Sequence, residues 1–277
     1  MVKFQIADGK KVYTANIPEN WNEVPEEQYP NLAQIYLKTE NRMNEYDKLV
    51  RSFCLLTIRA WDGVKLMSDE QLAYHLQHIH WVFGELDLSL NKIPQFSIDG
   101  VDYYGPEEEL GNLRFGEYCI AEAHFIAYWQ HRDEKALDRL IATLYRPKGK
   151  GNQYKKDNPD YRGDIREKFN GNLVEQRAEV FADLDLAIRD GIFLFYVSAR
   201  NILASYYPHV FPKKRAKNTP LGNQQVPNYG WLGVFDDLLG EKGRTAETLE
   251  DEFLATTLMS LERSQIKFRD MKRNSKK

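Results

Sequence analysis

The sequence predicts a predominantly helical α+β fold, a helix bundle carrying two small β-hairpins in a single domain over 1–277, and three observations lead there. Apolar residues recur at helical spacing through most of the chain. Two short alternating stretches fold back about Asp-Gly pairs. Hydrophobic residues make up 42% of the 277, enough to fill a real core.

The first hairpin spans about 1–18. Val2, Phe4 and Ile6 alternate with polar residues, Asp8-Gly9 tolerates positive φ, and Val12, Thr14 and Asn16 resume the alternation. The second places Phe96 and Ile98 opposite Val101 and Tyr103 across Asp99-Gly100; the two hairpins could share one small sheet, though no sequence rule makes them pair. Trp21 to Tyr29 reads as a helix start. Pro25 is preset for the first turn and the glutamates suit the helix dipole, but Val24 has no side-chain oxygen to cap it and Pro30 interrupts, so Tyr29 is the alternative start.

Tyr46, Leu49, Val50, Phe53, Cys54, Thr57, Ile58 and Trp61 form one apolar helical stripe, predicting a continuous core helix. Ser68-Asp69-Glu70-Gln71 is a capping box, and the helix it opens should end near Gly84. A helix pair follows at about Phe115–Trp129 and Glu134–Tyr145, stopped by Pro147. Residues 148–172 have no periodicity and read as an exposed basic loop of unusual length. Val180 through Ile202 trace a long central helix containing the apolar run Ile192–Val197, too short to cross a bilayer. After a basic connector over 213–228, a C-terminal helical module occupies about 228–271. It has a short helix through Trp231, Phe235 and Leu238, and a longer one capped at Thr245 with Leu254, Leu258, Leu261 and Phe268 along one side. The end is strongly basic from Arg263 and should fray beyond Met271.

Charge and motif content narrow the function classes. A formal net charge of -3 with 29% charged residues argues against a disordered acidic chain and against a protein dominated by nucleic-acid electrostatics. Cys54 and Cys119 sit at apolar helical positions with no ligand-spaced neighbour, as buried thiols of a reducing cytoplasm. The opening Met1–Ile6 turns polar within a few residues, so no signal-peptide apolar region is expected. His75 and His78 share a helix side, but His80 departs from it and no carboxylate or thiol completes a metal set. Lys148 to Gln153 lacks the Gly-Lys-Ser/Thr ending of a phosphate loop, and neither a nucleophile elbow nor a dinucleotide fingerprint occurs. No catalytic residue, metal ligand or cofactor is assigned.

Binding candidates lie in the basic stretches. Lys148, Lys150, Lys155, Lys156 and Arg162 interleave with Tyr154 and Tyr161, a mixture used by single-strand grooves. Asp157, Asp160 and Asp164 dilute that charge, and a solvated linker is the plainer reading. Lys213, Lys214 and Arg215 form a second cluster. Glu117 and Arg146 read as end-of-helix charges that suit the dipole.

Four short segments carry a family likeness: Trp21-Asn22-Glu23, Leu113-Arg114-Phe115-Gly116-Glu117-Tyr118, Leu144-Tyr145-Arg146-Pro147 and Tyr229-Gly230-Trp231. Together they resemble the tail assembly chaperone-like proteins encoded in the tail-morphogenesis regions of tailed bacteriophages and prophages. The resemblance implies a non-enzymatic protein of the bacterial host cytoplasm that binds the tape-measure protein, or another tail protein, and shields its apolar helices. Two alternatives stand beside it: a virion component such as a connector or baseplate subunit, and a nucleic-acid-binding module using the basic loop and tail.

Overall fold

The computed structural model describes residues 1–9, 11–37, 44–212, 230–239 and 244–275. It is mostly helical with two small antiparallel sheets, the α+β class expected. The sequence reading has one domain over 1–277; by contacts the chain divides into two compact units, Met1–Ile93 with Leu184–Ala199, and Pro94–Asp183 with Arg200–Lys277.

The first unit opens with β1 (Val2–Asp8) and β2 (Lys11–Ile17), paired so that Phe4 faces Ala15 and Asp8 faces Lys11. The tight connection relies on Gly9 at φ +54°, a conformation that costs glycine little. Phe4 points into the core, where the His75 and Phe53 rings meet it edge-on at 4.9 and 5.6 Å. A 3-10 turn at Trp21–Glu23 follows, capped by Asn20, whose side chain accepts from the Glu23 N–H. Helix α1 (Tyr29–Leu37) begins at the later of the two expected starts. Pro30 falls in its first turn, where a missing N–H removes no helical bond.

Helix α2 (Glu45–Leu56) is capped by Asn44 and stops earlier than its apolar stripe. The Thr57 hydroxyl donates to the Phe53 carbonyl at 2.6 Å, and a 3-10 turn at Ile58–Ala60 precedes the single turn α3 (Trp61–Val64). The expected continuous helix is thus broken, and Tyr46, Ile58 and Trp61 leave the core for the surface. Helix α4 (Asp69–Leu76) has the predicted capping box from Ser68 and Gln71, then tightens to a 3-10 helix ending at Gly84. Asn22 ties down the segment beyond it: its side-chain oxygen accepts from the Ser89 and Leu90 N–H groups while its amide donates to the Asp87 carbonyl. The buried Tyr29 hydroxyl, donating to the Gly191 carbonyl at 2.7 Å, holds residues 184–199 to this unit.

The second unit contains β3 (Gln95–Ile98) and β4 (Val101–Tyr104), joined by Asp99 and Gly100 at φ 50° and 77°, the positive values a two-residue hairpin needs. Helices α5 (Phe115–His131) and α6 (Glu134–Leu144) form the expected pair. Strand β5 (Arg146–Pro147) then adds to β4, so this sheet is three-stranded. The two hairpins lie in separate sheets, and the free edge of β4 is taken by the chain leaving α6.

Helix α7 (Val174–Phe181) and helix α8 (Leu186–Tyr206) replace the single helix expected from Val180 to Ile202. Asp185 makes the break, its carboxylate accepting from the Ala187 N–H and its carbonyl from that of Arg189, as a helix N-cap does. The run Ile192 to Tyr196 is fully buried within α8, and among the described residues no helix is long and apolar enough to cross a membrane. Helix α9 (Gly230–Leu239) lays Trp231 and Phe235 against Phe115. The helix capped at Thr245 is short, α10 (Ala246–Glu250), and α11 (Leu254–Asn274) is a separate element. What divides them is a backbone pairing: the Phe115 N–H donates to the Glu252 carbonyl at 2.8 Å and the Leu254 N–H to that of Leu113 at 2.9 Å. Helix α11 continues past the fraying point expected at Met271.

Candidate functional site

Two of the short segments singled out in the sequence meet in the second unit. Phe115-Gly116-Glu117 forms the first turn of α5, and Arg146 leaves α6 on β5. Glu117 and Arg146 are both buried, at 0% and 1% exposure, and the guanidinium grips the carboxylate through two bonds of 2.6 and 3.3 Å. The dipole reading of these residues is therefore incomplete: each is the other's partner, 29 residues away. Sequence offered one signal, a charged residue inside each of two apolar stretches.

A second arginine completes the cluster. Arg166, also 1% exposed, donates to Glu117 at 3.0 Å, to Asp164 at 2.8 Å, and to the Leu144 carbonyl at 2.6 Å. With Asn112 accepting from Arg166, and the Thr143 and Glu167 carbonyls accepting from Arg146, all five N–H donors of each guanidinium have acceptors. Two cations face two carboxylates, so the buried charge sums to zero. For Arg166, burial opposes the charge, but Glu117 and Asp164 outweigh it and raise the pKa above that of an ordinary arginine. Arg146 is held lower, first by burial and then by its like-charged neighbour Arg166.

The cluster shapes the loop that follows. Residues 148–172 were expected to be exposed throughout, yet Asp164 and Arg166 are buried; their burial draws the loop's end back beside its beginning. The Gly149 N–H donates to the Ile165 carbonyl at 3.0 Å and the Glu167 N–H to that of Pro147 at 2.8 Å. The loop's returning side is held by Arg114, which donates to the Arg162 carbonyl at 2.6 Å and stacks 3.6 Å over the Phe253 ring. Within this frame Lys148, Lys150, Lys155, Lys156 and Arg162 are exposed, while Tyr154 and Tyr161 are half-buried. Tyr154 and Arg162 come together on a hollow of about 30 Å³ against the ion cluster; Lys156 instead pairs with Glu107 at 3.6 Å. Lys213, Lys214 and Arg215 lie outside the described residues.

A wider hollow of about 510 Å³ opens between the start of α5, helix α9 and the loop's end, lined by Gly116, Cys119, Ile120, Phe169, Leu232 and Phe235. Its volume is in the range of small-molecule sites. Lys168 and Glu250 supply opposite charges to its wall. Cys119 is buried as expected, and Cys54 only half so. Burial, reinforced by the Glu122 carboxylate, pushes the Cys119 thiol up to about 12. At pH 8 roughly one Cys119 in ten thousand is then thiolate. Iodoacetamide applied to the native protein at that pH should mark Cys54 well before Cys119, read by peptide mass spectrometry; equal rates would contradict this environment.

His75 is an aromatic core-edge residue between Phe4 and Phe53, with His78 as its nearest imidazole at 6.2 Å. Burial first, and His78 second, lower its pKa. Among the described residues no group of three His, Cys, Asp or Glu side chains is placed to hold a metal.

The far half of α11 is a surface that no motif marks. Its first turns are buried through Leu254, Thr257 and Leu258, and Glu262 ties the middle down by accepting from the backbone N–H groups of His209 and Val210, both at 3.0 Å. From Arg263 to Ser275 every residue is exposed, including Phe268 and Met271 at 58% and 64%. Its apolar residues follow the helical repeat, which was visible; that they are not covered was not. Compared with known proteins, the chain matches no family model, and no curated protein or solved structure is significantly similar to it.

Proposed function

We propose that the chain is a non-enzymatic tail-morphogenesis protein of a tailed phage or prophage, a tail assembly chaperone acting in the host cytoplasm on the tape-measure protein. The observation that carries the reading is the uncovered row of large side chains on α11, with Phe268 and Met271 more than half exposed on a helix rooted in the second unit. A tape-measure protein is a long helical chain with apolar stripes, and helix-on-helix docking is the recognition that such a surface performs. The resemblance at Trp21, Phe115, Tyr145 and Trp231 supplies the phage context; Trp21, Phe115 and Tyr145 are themselves fully buried core side chains.

Co-expression with the tape-measure product of the same tail gene cluster tests this directly. A stable complex and a gain in soluble tape-measure protein are expected. Neither one appearing would end the proposal, and stable incorporation into purified particles would make the protein a virion component instead.

A further inference from the structure

A seven-residue repeat runs along α11 from its buried first turns, where Leu258 is buried beside it, into its exposed far half. Leu254, Thr257, Leu261, Ser264, Phe268, Met271 and Ser275 are spaced alternately three and four apart, which places them in one stripe, the a and d positions of a coiled-coil seam. The protein's own body covers the first part of that stripe, with Leu254 and Thr257 at 2% and 0% exposure. It leaves the rest open. An isolated helical stretch of about a dozen residues is marginal in water, so the stripe's continuation is a face built to be covered.

Charge decides by what. The positions flanking the open seam are Lys267 and Asn274 on one side and Gln265 and Lys272 on the other, so its charged flanks are both lysines, and the Lys272 ammonium lies 5.6 Å over the Phe268 ring, beside the seam. If a second copy docked in parallel, Lys267 would face Lys272 of that copy; docked antiparallel, each lysine would face its own equivalent. Both arrangements set like charges against each other, which coiled-coil flanks use to reject a partner. Arg263, Arg269 and Arg273 add further positive charge around the same stretch, against the one carboxylate of Asp270. Phosphate backbones would also be attracted, but they offer nothing for Phe268 and Met271 to pack against.

We propose that the open seam of α11 docks one helix of another protein, with apolar residues at its own a and d positions and carboxylates at the flanking e and g positions. This deepens the chaperone reading by giving the chemistry of the partner, and it rests only on that reading's protein-binding half.

The test uses the full-length protein and two synthetic three-heptad peptides with leucine at a and d, one flanked by glutamate and the other by lysine. The glutamate peptide should bind and the lysine peptide should not. Phe268→Ser with Met271→Ser should weaken binding about tenfold or more. Lys267→Glu with Lys272→Glu should exchange the preference between the two peptides. Both pairs lie on exposed positions, so circular dichroism and melting should match the parent, separating loss of binding from loss of fold. No binding of the glutamate peptide, binding indifferent to these changes, self-association through the seam, or tighter retention of duplex DNA lost in the same variants would each overturn the proposal. If the Ser variant still captures the tape-measure product, the seam is wrong and the chaperone reading survives; if the parent captures none, that reading fails independently of the peptide result.

Discussion

Replacing Arg166 with methionine should destabilise the second unit by about 3–5 kcal/mol, the cost of leaving buried carboxylates without their cation. Asp164 would lose its paired bonds to the Nε and Nη2 atoms, and Glu117 would keep only Arg146. Removing a charge from a neutral cluster leaves a net buried charge, which is why truncating one partner costs more than the cluster contributes as a whole. Lys148→Ala on the adjoining exposed loop should change stability by less than about 0.5 kcal/mol. Urea unfolding followed by circular dichroism reads both. An Arg166→Met protein as stable as the Lys148→Ala control would show that water reaches this cluster in solution.

Trp21→Ala should cost the first unit a similar amount, about 3–5 kcal/mol, by opening a cavity. The indole is fully buried, and Tyr36, Trp81 and Tyr29 meet it edge-on at centroid distances of 5.5, 5.6 and 6.3 Å. Its Nε1–H has no acceptor among the described residues, whereas that of Trp81 donates to the Pro18 carbonyl at 2.8 Å. Trp21→Phe therefore removes volume without orphaning a polar partner and should fall well below the alanine change. Thermal melts of the two variants give the order, and a phenylalanine variant as damaged as the alanine one would mean that the indole nitrogen does bond.

The parts of the fold that were legible in the sequence are those whose cause is local. The Asp99-Gly100 turn, the Ser68 capping box and the α5/α6 pair each depend on residues within a few positions of one another, and each forms where expected. Helix ends were harder. The apolar stripe from Leu49 continues through Ile58 although α2 stops at Leu56, since periodicity registers what is apolar and not where the backbone bonds break. Asp185 before α8 is a readable cap, but the apolar residues on either side of it equally suit a single helix. The division between α10 and α11 was not readable, since it depends on residues 252–254 pairing with 113–115 across the sequence. The ion cluster was hidden for the same reason: Glu117 finds Arg146 and Arg166 at separations of 29 and 49 residues, and no spacing rule connects them. Of the binding candidates, the loop lysines are exposed as the sequence reading has them, but the same stretch contributes two residues to the interior.

The buried arginines also alter what the chain between them is for. Pro147 and Glu167 are joined by a backbone bond, as are Gly149 and Ile165, and both flanks are pinned to Glu117. The Arg162 N–H donates to the Gln153 carbonyl as well, so the covalent path through 155–161 is a second connection between points already fastened together. Neither its length nor its composition sets the spacing of α5 and α6, so residues can be gained or lost at the loop's tip without the rest of the unit having to readjust.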